Sequence, residues 1–319
     1  MNDTLPIIGR SEILQHVDIA SLIKPISEAF QAVSDGRSQS NIDVLHPTDF
    51  SDLHVKSAVM QGADIFTVKT AGWSAKNEAV GLSASSGMIT VFDAVSCRPI
   101  AILQDNHLIS DLRTAAAGAL SVQLLANADA TTLGVLGAGE QAYQQIKAAR
   151  LVRDIKNVYL WNRTPSKAMQ LADRLKTDDP ALFVQVEGGA QAVVEAADIL
   201  ITATASKEPL VQAEWLRPGM HVTSVGADDA TKCELEPACL ALADLLVVDS
   251  VEAATSYGNL HRALSAGAID VGVAVEIGKI LGSDAKGRES RDDITIATFV
   301  GLGSQDLAAT QFLRQKLQF

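Results

Sequence analysis

The chain of 319 residues has few cysteines, no long apolar run and a shortage of positive charge. Cys97, Cys233 and Cys239 are odd in number and lack paired spacing, which excludes a disulfide framework or a zinc ribbon. They are expected to be reduced thiols packed as small apolar groups. The six histidines show no H-E-x-x-H or other ligand spacing, so no metal is assigned. No stretch approaches the ~20 apolar residues of a membrane span. The opening MNDTLPIIGRSEIL also lacks the basic flank and apolar block of a signal peptide, so a cytoplasmic protein is expected. Lys and Arg total 26 against 38 Asp and Glu, a net charge of −12. That argues against a general role on nucleic acid or a membrane surface. The expected partner is a small molecule, and an anionic one needs a local cluster of Lys and Arg. A hydrolase signal is absent too. Gly81–Gly87, GLSASSG, fails the G-x-S-x-G spacing and reads as a flexible loop beside the strand that carries Lys69.

What is present is a dinucleotide signature. Thr132–Leu136 is a short aliphatic run suited to a buried parallel strand, and Gly137-Ala138-Gly139-Glu140-Gln141-Ala142 follows at once as G-x-G-x-x-A. Gly137 permits the tight turn, Gly139 lets backbone N–H groups approach a pyrophosphate, and Ala142 keeps the new helix close to the strand. The helix start then supplies partial positive charge to the phosphates. A second strand arrives at Asn157–Trp161, completing a βαβ unit. Roughly 20 residues past the glycines an NAD site places an Asp or Glu on the ribose 2′-OH. Here the chain reads Asn162-Arg163-Thr164, with Lys167 one helical turn on. No carboxylate repels a 2′-phosphate, and the planar fork of Arg163 suits one, so NAD(P)H is expected with NADP mildly favoured. A solvated arginine beside an NAD site is the other reading.

Helices and strands alternate from Thr114 to about Val248, the rhythm of a doubly wound α/β domain. Residues 1–113 differ: an amphipathic helix over Ile19–Val33 precedes strand-like runs at Val55–Val59, Ile65–Thr70, Met88–Asp93 and Ile100–Gln104. The expected fold is α/β: a Rossmann dinucleotide-binding domain over 114–293 and a discontinuous α+β substrate and dimerisation domain. The latter is formed by 1–113 with 294–319. A helix is expected over Val271–Leu281, and the polar stretch Gly282–Asp293 would cross back to the first domain. Ile294–Val300 and a helix from near Gln305 would then join that domain.

Several residues invite chemistry. Lys69 lies in an otherwise apolar strand, where an ammonium is costly unless it is paired or touches substrate. Lys56 has similar flanks and would share its sheet face if the two strands are neighbours. Asp111-Leu112-Arg113-Thr114 stands before a helix of small residues, where Thr114 would cap and Arg113 would hold an anion. Asp228 follows Val225-Gly226-Ala227 at a strand end, the place where open α/β sheets carry ligand contacts. Capping of the next helix by Asp228 or Asp229 is the alternative.

Taken together, the chain resembles the ornithine cyclodeaminase and μ-crystallin family over nearly its whole length. The resemblance rests on Lys69, GLSASSG, DNHLISDLRTAAAGALS, GVLGAGEQA, VYLWNRT, ILITATASKEPL, VGADDATKCEL and ITIATFVGLGSQDLAA. It implies a homodimer with NAD(P)-dependent chemistry at a carbon bearing an amino or imino nitrogen. It makes Lys69 a contact for the substrate carboxylate or a proton relay, puts Arg113 beside substrate and cofactor, and gives Asp228 the polar role at the reacting nitrogen. Thr114, Gly137, Ala138, Gly139, Glu140, Gln141, Asn162, Arg163, Thr164, Lys167, Thr202, Ala203, Thr204 and Val225 would line the cofactor. One departure stands out. The position usually held by a carboxylate-binding Arg is occupied by Asn41, while Lys56 stands where Met is usual. With Lys56, Lys69 and Arg113 the pocket would suit an acyclic dicarboxylic imine, so reduction of iminosuccinate to L-aspartate is the leading expectation. The alternatives are a cyclic ketimine reductase, a cyclodeaminase-type lyase, or a non-catalytic protein that binds NADPH and a small ligand.

Overall fold

The computed structural model describes residues 4–319. The chain divides into two compact units, one running up to Arg113 and resuming over Leu302–Phe319, the other spanning Thr114–Gly301.

In the first unit β1 (Ile7–Gly9) leads through the short α1 (Arg10–Ile13) to α2 (Ile19–Ser34). Five strands follow: β2 (Ser38–Thr48), β3 (Ser51–Met60), β4 (Ile65–Ser74), β5 (Ser85–Asp93) and β6 (Pro99–Gln104). The sheet order is β1-β6-β5-β4-β3-β2, antiparallel from β2 to β6, with β1 added in parallel. A strand's side chains alternate between faces. Thus Ala58, Ile65, Ala71, Ile89, Val91, Ala101 and Leu103 turn inward and are buried. They meet α2 and α11 (Gly303–Leu317), which pack on one another. α2 starts with a capping box between Asp18 and Ser21, and its apolar stripe of Ile19, Leu22, Ile26 and Phe30 is buried. At Gly303 an added Cβ would lie 2.6 Å from the Ser57 carbonyl oxygen, so α11 approaches β3 at a contact that only glycine permits. The outer face of the same sheet carries Phe66 stacked on Phe92 with centroids 4.8 Å apart, and leaves Val59 and Met88 nearly half exposed.

The helix α3 (Leu108–Leu125) leads into the second unit, whose eight strands are all parallel in the order β13-β12-β14-β11-β10-β7-β8-β9. These are β7 (Thr132–Leu136), β8 (Asn157–Trp161), β9 (Phe183–Val186), β10 (Ile199–Thr202), β11 (His221–Ser224), β12 (Leu245–Val248), β13 (Ala274–Glu276) and β14 (Thr295–Thr298). The strand order reverses between β7 and β10, which is where doubly wound sheets bind dinucleotides. Helices α4 (Glu140–Val152), α5 (Pro165–Asp178), α6 (Ala190–Ala196), α7 (Pro237–Ala241), α8 (Val251–Ser256), α9 (Gly258–Ser265) and α10 (Ile277–Leu281) connect the strands. The core lies on both faces of the sheet: Val135, Ile146, Leu160 and Ile201 belong to one apolar cluster, and Leu136, Val222, Val248 and Ile296 to another.

The structure corrects several expectations. Ile294–Val300 does not join the first unit: Thr295–Thr298 pairs with β11 and β12 inside the nucleotide sheet, and only from Leu302 does the chain rejoin the first unit. Its apolarity correctly marked a buried strand but could not say in which sheet. Val271–Leu281 is not one helix, for it breaks into a 3₁₀ turn, β13 and α10. Ser85 to Gly87 are no loop; they open β5, where a Cβ on Gly87 would sit 2.5 Å from the Thr70 carbonyl oxygen. Strand β2 was not anticipated, since its sequence SQSNIDVLHPT carries polar residues through most of its length. Cys97 is exposed, unlike the buried Cys233 and Cys239.

Candidate functional site

In the first unit the β3–β4 register sets Lys56 directly opposite Lys69, and both are almost fully buried. Like charges placed opposite one another oppose strand pairing, and a desolvated ammonium needs a counter-charge. That charge comes from α11. Asp306, 1% exposed, has its Oδ2 2.8 Å from Lys69 Nζ and accepts from Arg113 Nε through Oδ1 at 3.1 Å. Lys69 also donates to Ser110 Oγ at 2.6 Å, and Arg113 Nη1 donates to Gln305 Oε1 at 3.2 Å. Burial pushes the Lys69 ammonium below its ordinary pKa, with Asp306 opposing and Arg113 adding to the shift. Burial alone would raise the Asp306 carboxyl, but Lys69 and Arg113 outweigh it and hold the group below the usual carboxylate range. Asp52 and His54 lie further along the inward face of β3, with His54 Nε2 3.4 Å from Asp52 Oδ1.

Two expectations fail here. Asn41 pairs with Ser57, one residue out of step with Lys56, so it lies on the opposite face of the sheet. It is exposed and donates to Asp43. Thr114 caps nothing, because α3 already begins at Leu108 and the carboxylate serving its first turn is Asp105, which accepts from Ile109 N–H at 2.8 Å. The Thr114 carbonyl instead accepts from Gln145 Nε2 at 2.9 Å. Asp306 was missed altogether, although the buried Lys69 signalled that some carboxylate must exist.

In the second unit Gly137 has φ +118° and a Cβ there would lie 2.4 Å from the Ala203 carbonyl oxygen, so only glycine makes this turn. Gly139 is the N-cap of α4, in extended conformation, with no side chain capping the helix. Apart from its chain neighbours and the adjoining helix backbone, no atom lies within 4 Å of where its Cβ would stand. The open start of a 13-residue helix, at the reversal point of the sheet, fits a dinucleotide pyrophosphate. Ala142 is fully buried against the sheet, as its place in the motif requires. The Glu140 carboxylate is taken by Arg174 and Gln144 within its own unit. Gln141 accepts from Gln145 through Oε1. Beyond β8, Arg163, Thr164 and Lys167 are exposed, and Asn162 Nδ2 donates to the Thr164 carbonyl at 3.0 Å.

The hydroxyls of Thr202 and Thr204 turn toward the buried Glu234, so these residues offer a ligand their backbone and methyl surfaces. Asp228 is paired with Lys232 Nζ at 2.6 Å and keeps a third of its side chain exposed. Neither Asp228 nor Asp229 caps a helix: Asp229 Oδ1 accepts from Thr231 and Lys232 in a local turn, and α7 begins only at Pro237. Among the described residues no three His, Cys, Asp or Glu side chains form a metal-binding group, and no helix is long and apolar enough to cross a membrane.

Comparison with known proteins follows the same lines. The model of the ornithine cyclodeaminase/mu-crystallin family matches residues 6–318. An uncharacterized cyclodeaminase of Sinorhizobium fredii is 32% identical over 99% of this chain and 96% of its own. The structure of Thermococcus litoralis Δ1-pyrroline-2-carboxylate reductase in complex with NADH and L-proline superposes with a TM-score of 0.92 at 25% identity, covering 98% of each chain. The iminosuccinate reductase of Paracoccus denitrificans in complex with NAD+ gives a TM-score of 0.86 at 26% identity, covering 98% of this chain and 96% of that one. With a mixed α+β unit and a parallel nucleotide sheet in place, and with the family model matched almost end to end, the chain belongs to the ornithine cyclodeaminase/mu-crystallin family.

Proposed function

We propose that this chain is an NAD(P)H-dependent reductase that converts an imino acid to an L-amino acid, with iminosuccinate to L-aspartate as its reaction. The observation that carries this reading is the buried cluster of Lys56 and Lys69 on one sheet face with Arg113 of α3, gathered around Asp306. An imino acid always presents a carboxylate, and buried Lys and Arg donors are the groups that recognise one. A third buried cation, Lys56, answers to a second carboxylate, as in a dicarboxylic imine.

The nicotinamide cofactor, when bound, supplies a hydride to the imine carbon. Gly137, Gly139 and the start of α4 hold its pyrophosphate, and the exposed Arg163 stands where a 2′-phosphate would be met. The chain's own residues do the rest. Lys69, whose ammonium is weakened by burial, orients the substrate carboxylate or passes a proton, and Asp306 keeps it charged between turnovers. Asp228 favours the protonated imine, which accepts hydride more readily than the neutral one. The apolar outer face of the first sheet, with the Phe66–Phe92 stack, supports homodimerisation.

The test is oxidation of NADH and NADPH in parallel with oxaloacetate plus ammonia, pyruvate plus ammonia, and cyclic pyrroline and piperideine carboxylates. Turnover concentrated on oxaloacetate plus ammonia is expected. Activity confined to the cyclic imines would overturn the dicarboxylate reading in favour of ketimine reduction, and release of ammonia from ornithine would make the chain a cyclodeaminase. Binding of NADPH without any turnover would leave a ligand-binding protein.

A further inference from the structure

Glu234 is a fully buried carboxylate that the sequence did not single out. It accepts five hydrogen bonds. Oε1 takes the Thr204 N–H and the Thr204 hydroxyl, each at 2.7 Å. Oε2 takes the Thr202 hydroxyl at 2.8 Å, the Ser224 hydroxyl at 2.7 Å and the Gly226 N–H at 2.9 Å. These donors belong to two chain segments, one leaving β10 and one leaving β11, at the carboxyl end of the parallel sheet. The segments touch: a Cβ on Gly226 would lie 2.2 Å from the Thr204 carbonyl oxygen. Glu234 is held in turn by Asn259. The Asn259 Oδ1 accepts from the N–H groups of Glu234 and Leu235, and its Nδ2 donates to Ser224 and Thr298. Burial pushes the Glu234 carboxyl above the ordinary carboxylate range, and its hydrogen bonds offset only part of that rise. Burying such a group is costly, which a purely structural tie between two strand ends, achievable with apolar contacts, does not require.

We propose that Glu234 is a positioning residue of the dinucleotide site, locking the segment Thr202–Thr204 to the segment Ser224–Gly226 so that both present fixed backbone to the cofactor. This rests on the reductase reading given above. The first segment contributes Ala203, whose carbonyl forms the wall against which Gly137 turns. The second runs through Val225 and on to Asp228. A displacement of about 1 Å at such a site costs on the order of a hundredfold in rate, and a group that fixes both segments at once is therefore felt in chemistry as well as in stability.

The requirement for a carboxylate is specific. The Thr204 N–H bonds one oxygen and the Gly226 N–H bonds the other. In Glu234→Gln the amide NH₂ must replace one of these oxygens, and in either orientation it faces a backbone N–H that cannot turn away. One segment is pried from the other whichever way the amide sits.

The experiment is a fluorescence titration of NADH and NADPH into the wild type, Glu234→Gln and Thr202→Val, with kcat and hydrogen exchange measured on the same samples. For Glu234→Gln the Kd of the preferred cofactor is expected to rise at least tenfold and kcat to fall at least tenfold. Exchange should accelerate at Thr204 and Gly226. Thr202→Val keeps both backbone N–H contacts and removes one hydroxyl, so a rise in Kd of about threefold is expected, and it serves if the glutamine variant does not fold. A Glu234 that only stabilises the fold would lower Tm and leave Kd and kcat at wild-type values below the transition; that result, or a wild-type Kd in Thr202→Val when it is the only variant that folds, overturns the proposal. A wild type that binds neither cofactor removes the reductase reading and the role of Glu234 together, and is seen before any variant is read.

Discussion

Lys69 and Asp306 show how a single side chain can be half legible in a sequence. An ammonium inside the apolar run IFTVKTAGW demands a partner, and that much follows from desolvation alone. Which of 38 acidic residues answers it does not follow, because Asp306 is 237 residues away in the helix α11 and only the packing of α11 on β4 brings them to 2.8 Å. Asn41 failed for a simpler reason: a displacement of one position along a strand exchanges faces, and no pattern in β2 fixes its register. Replacing Asp306 by Asn leaves Lys69 and Arg113 buried without their shared anion. Unfolding in denaturant should show a loss of about 3–5 kcal/mol, and kcat/KM should fall at least a hundredfold. The pH dependence has a definite sign. Asp306 is held below its ordinary pKa, so its stabilisation is present above the unfolded carboxylate range and is lost as pH falls through the lowered value. Lys69, also lowered, acts in the same direction in a higher window: stability rises as pH climbs from its folded value toward 10.5. Wild type and Asp306→Asn should therefore converge in stability on acidification.

The two glycines of the dinucleotide turn make a matched pair for test. Gly137→Ala puts a Cβ at 2.4 Å from a backbone oxygen and at φ +118°, and it should lower Tm markedly. Gly139→Ala meets nothing within 4 Å, so its Tm should match the wild type while its Kd for NADH rises at least tenfold in a fluorescence titration. Equal Kd values for the Gly139 variant and wild type would show that the space over α4 is not where phosphates sit.

At the scale of elements, the nucleotide unit was the more readable half. Ile199–Thr202 and Leu245–Val248 occur where their apolar runs end at turn residues, since a strand buried on both faces leaves little choice of register or length. The α+β unit was harder because β2 and β3 are wet on one face and their polar residues blur the alternation. Buried polar seams between elements were not legible at all. His221 on β11 has Nδ1 2.9 Å from Thr295 Oγ1 of β14, and Nε2 3.1 Å from Ser121 Oγ of α3 and 2.8 Å from Thr223 Oγ1. Burial pushes its imidazole down to about 3, with Arg288 adding to the effect. Between pH 6.5 and 3 the unfolded chain binds the proton that the folded chain refuses, so stability rises with pH across this window. The difference amounts to roughly 4–5 kcal/mol. Denaturant titrations at pH 4 and pH 7, which cover about 2.5 pH units of that window, should show roughly 3 kcal/mol of it in the wild type and less in His221→Gln; equal pH dependence would mean that the seam accepts a charged imidazole.

For the whole molecule, the outer face of the first sheet is the feature with the largest expected consequence. Val68 sits on that face beside the Phe66–Phe92 stack, half-buried, with Met88 and Val59 more open nearby. Val68→Arg should convert a dimer into a monomer in light scattering after gel filtration while leaving far-UV circular dichroism unchanged. A monomeric wild type would show that the apolar face has another use. The charge of −12 keeps the remaining surface from associating without specificity.

Strand β14 lies between β11 and β12 in space but comes after β13 in the chain. On the ribosome, then, the strands from β7 to β11 can assemble as soon as they emerge, whereas β12 and β13 have no seat beside them until Thr298 has been translated. At ordinary elongation rates that interval is on the order of seconds, during which a nascent chain carries Leu246, Val247 and Val248 without the neighbour that later covers them. The first unit waits longer still, since α11 is made after β14. The sheet of the second unit is thus completed at Thr298 and the first unit only with α11, by Leu317, and chaperone capture during translation should be strongest on chains stalled between Glu276 and Thr298.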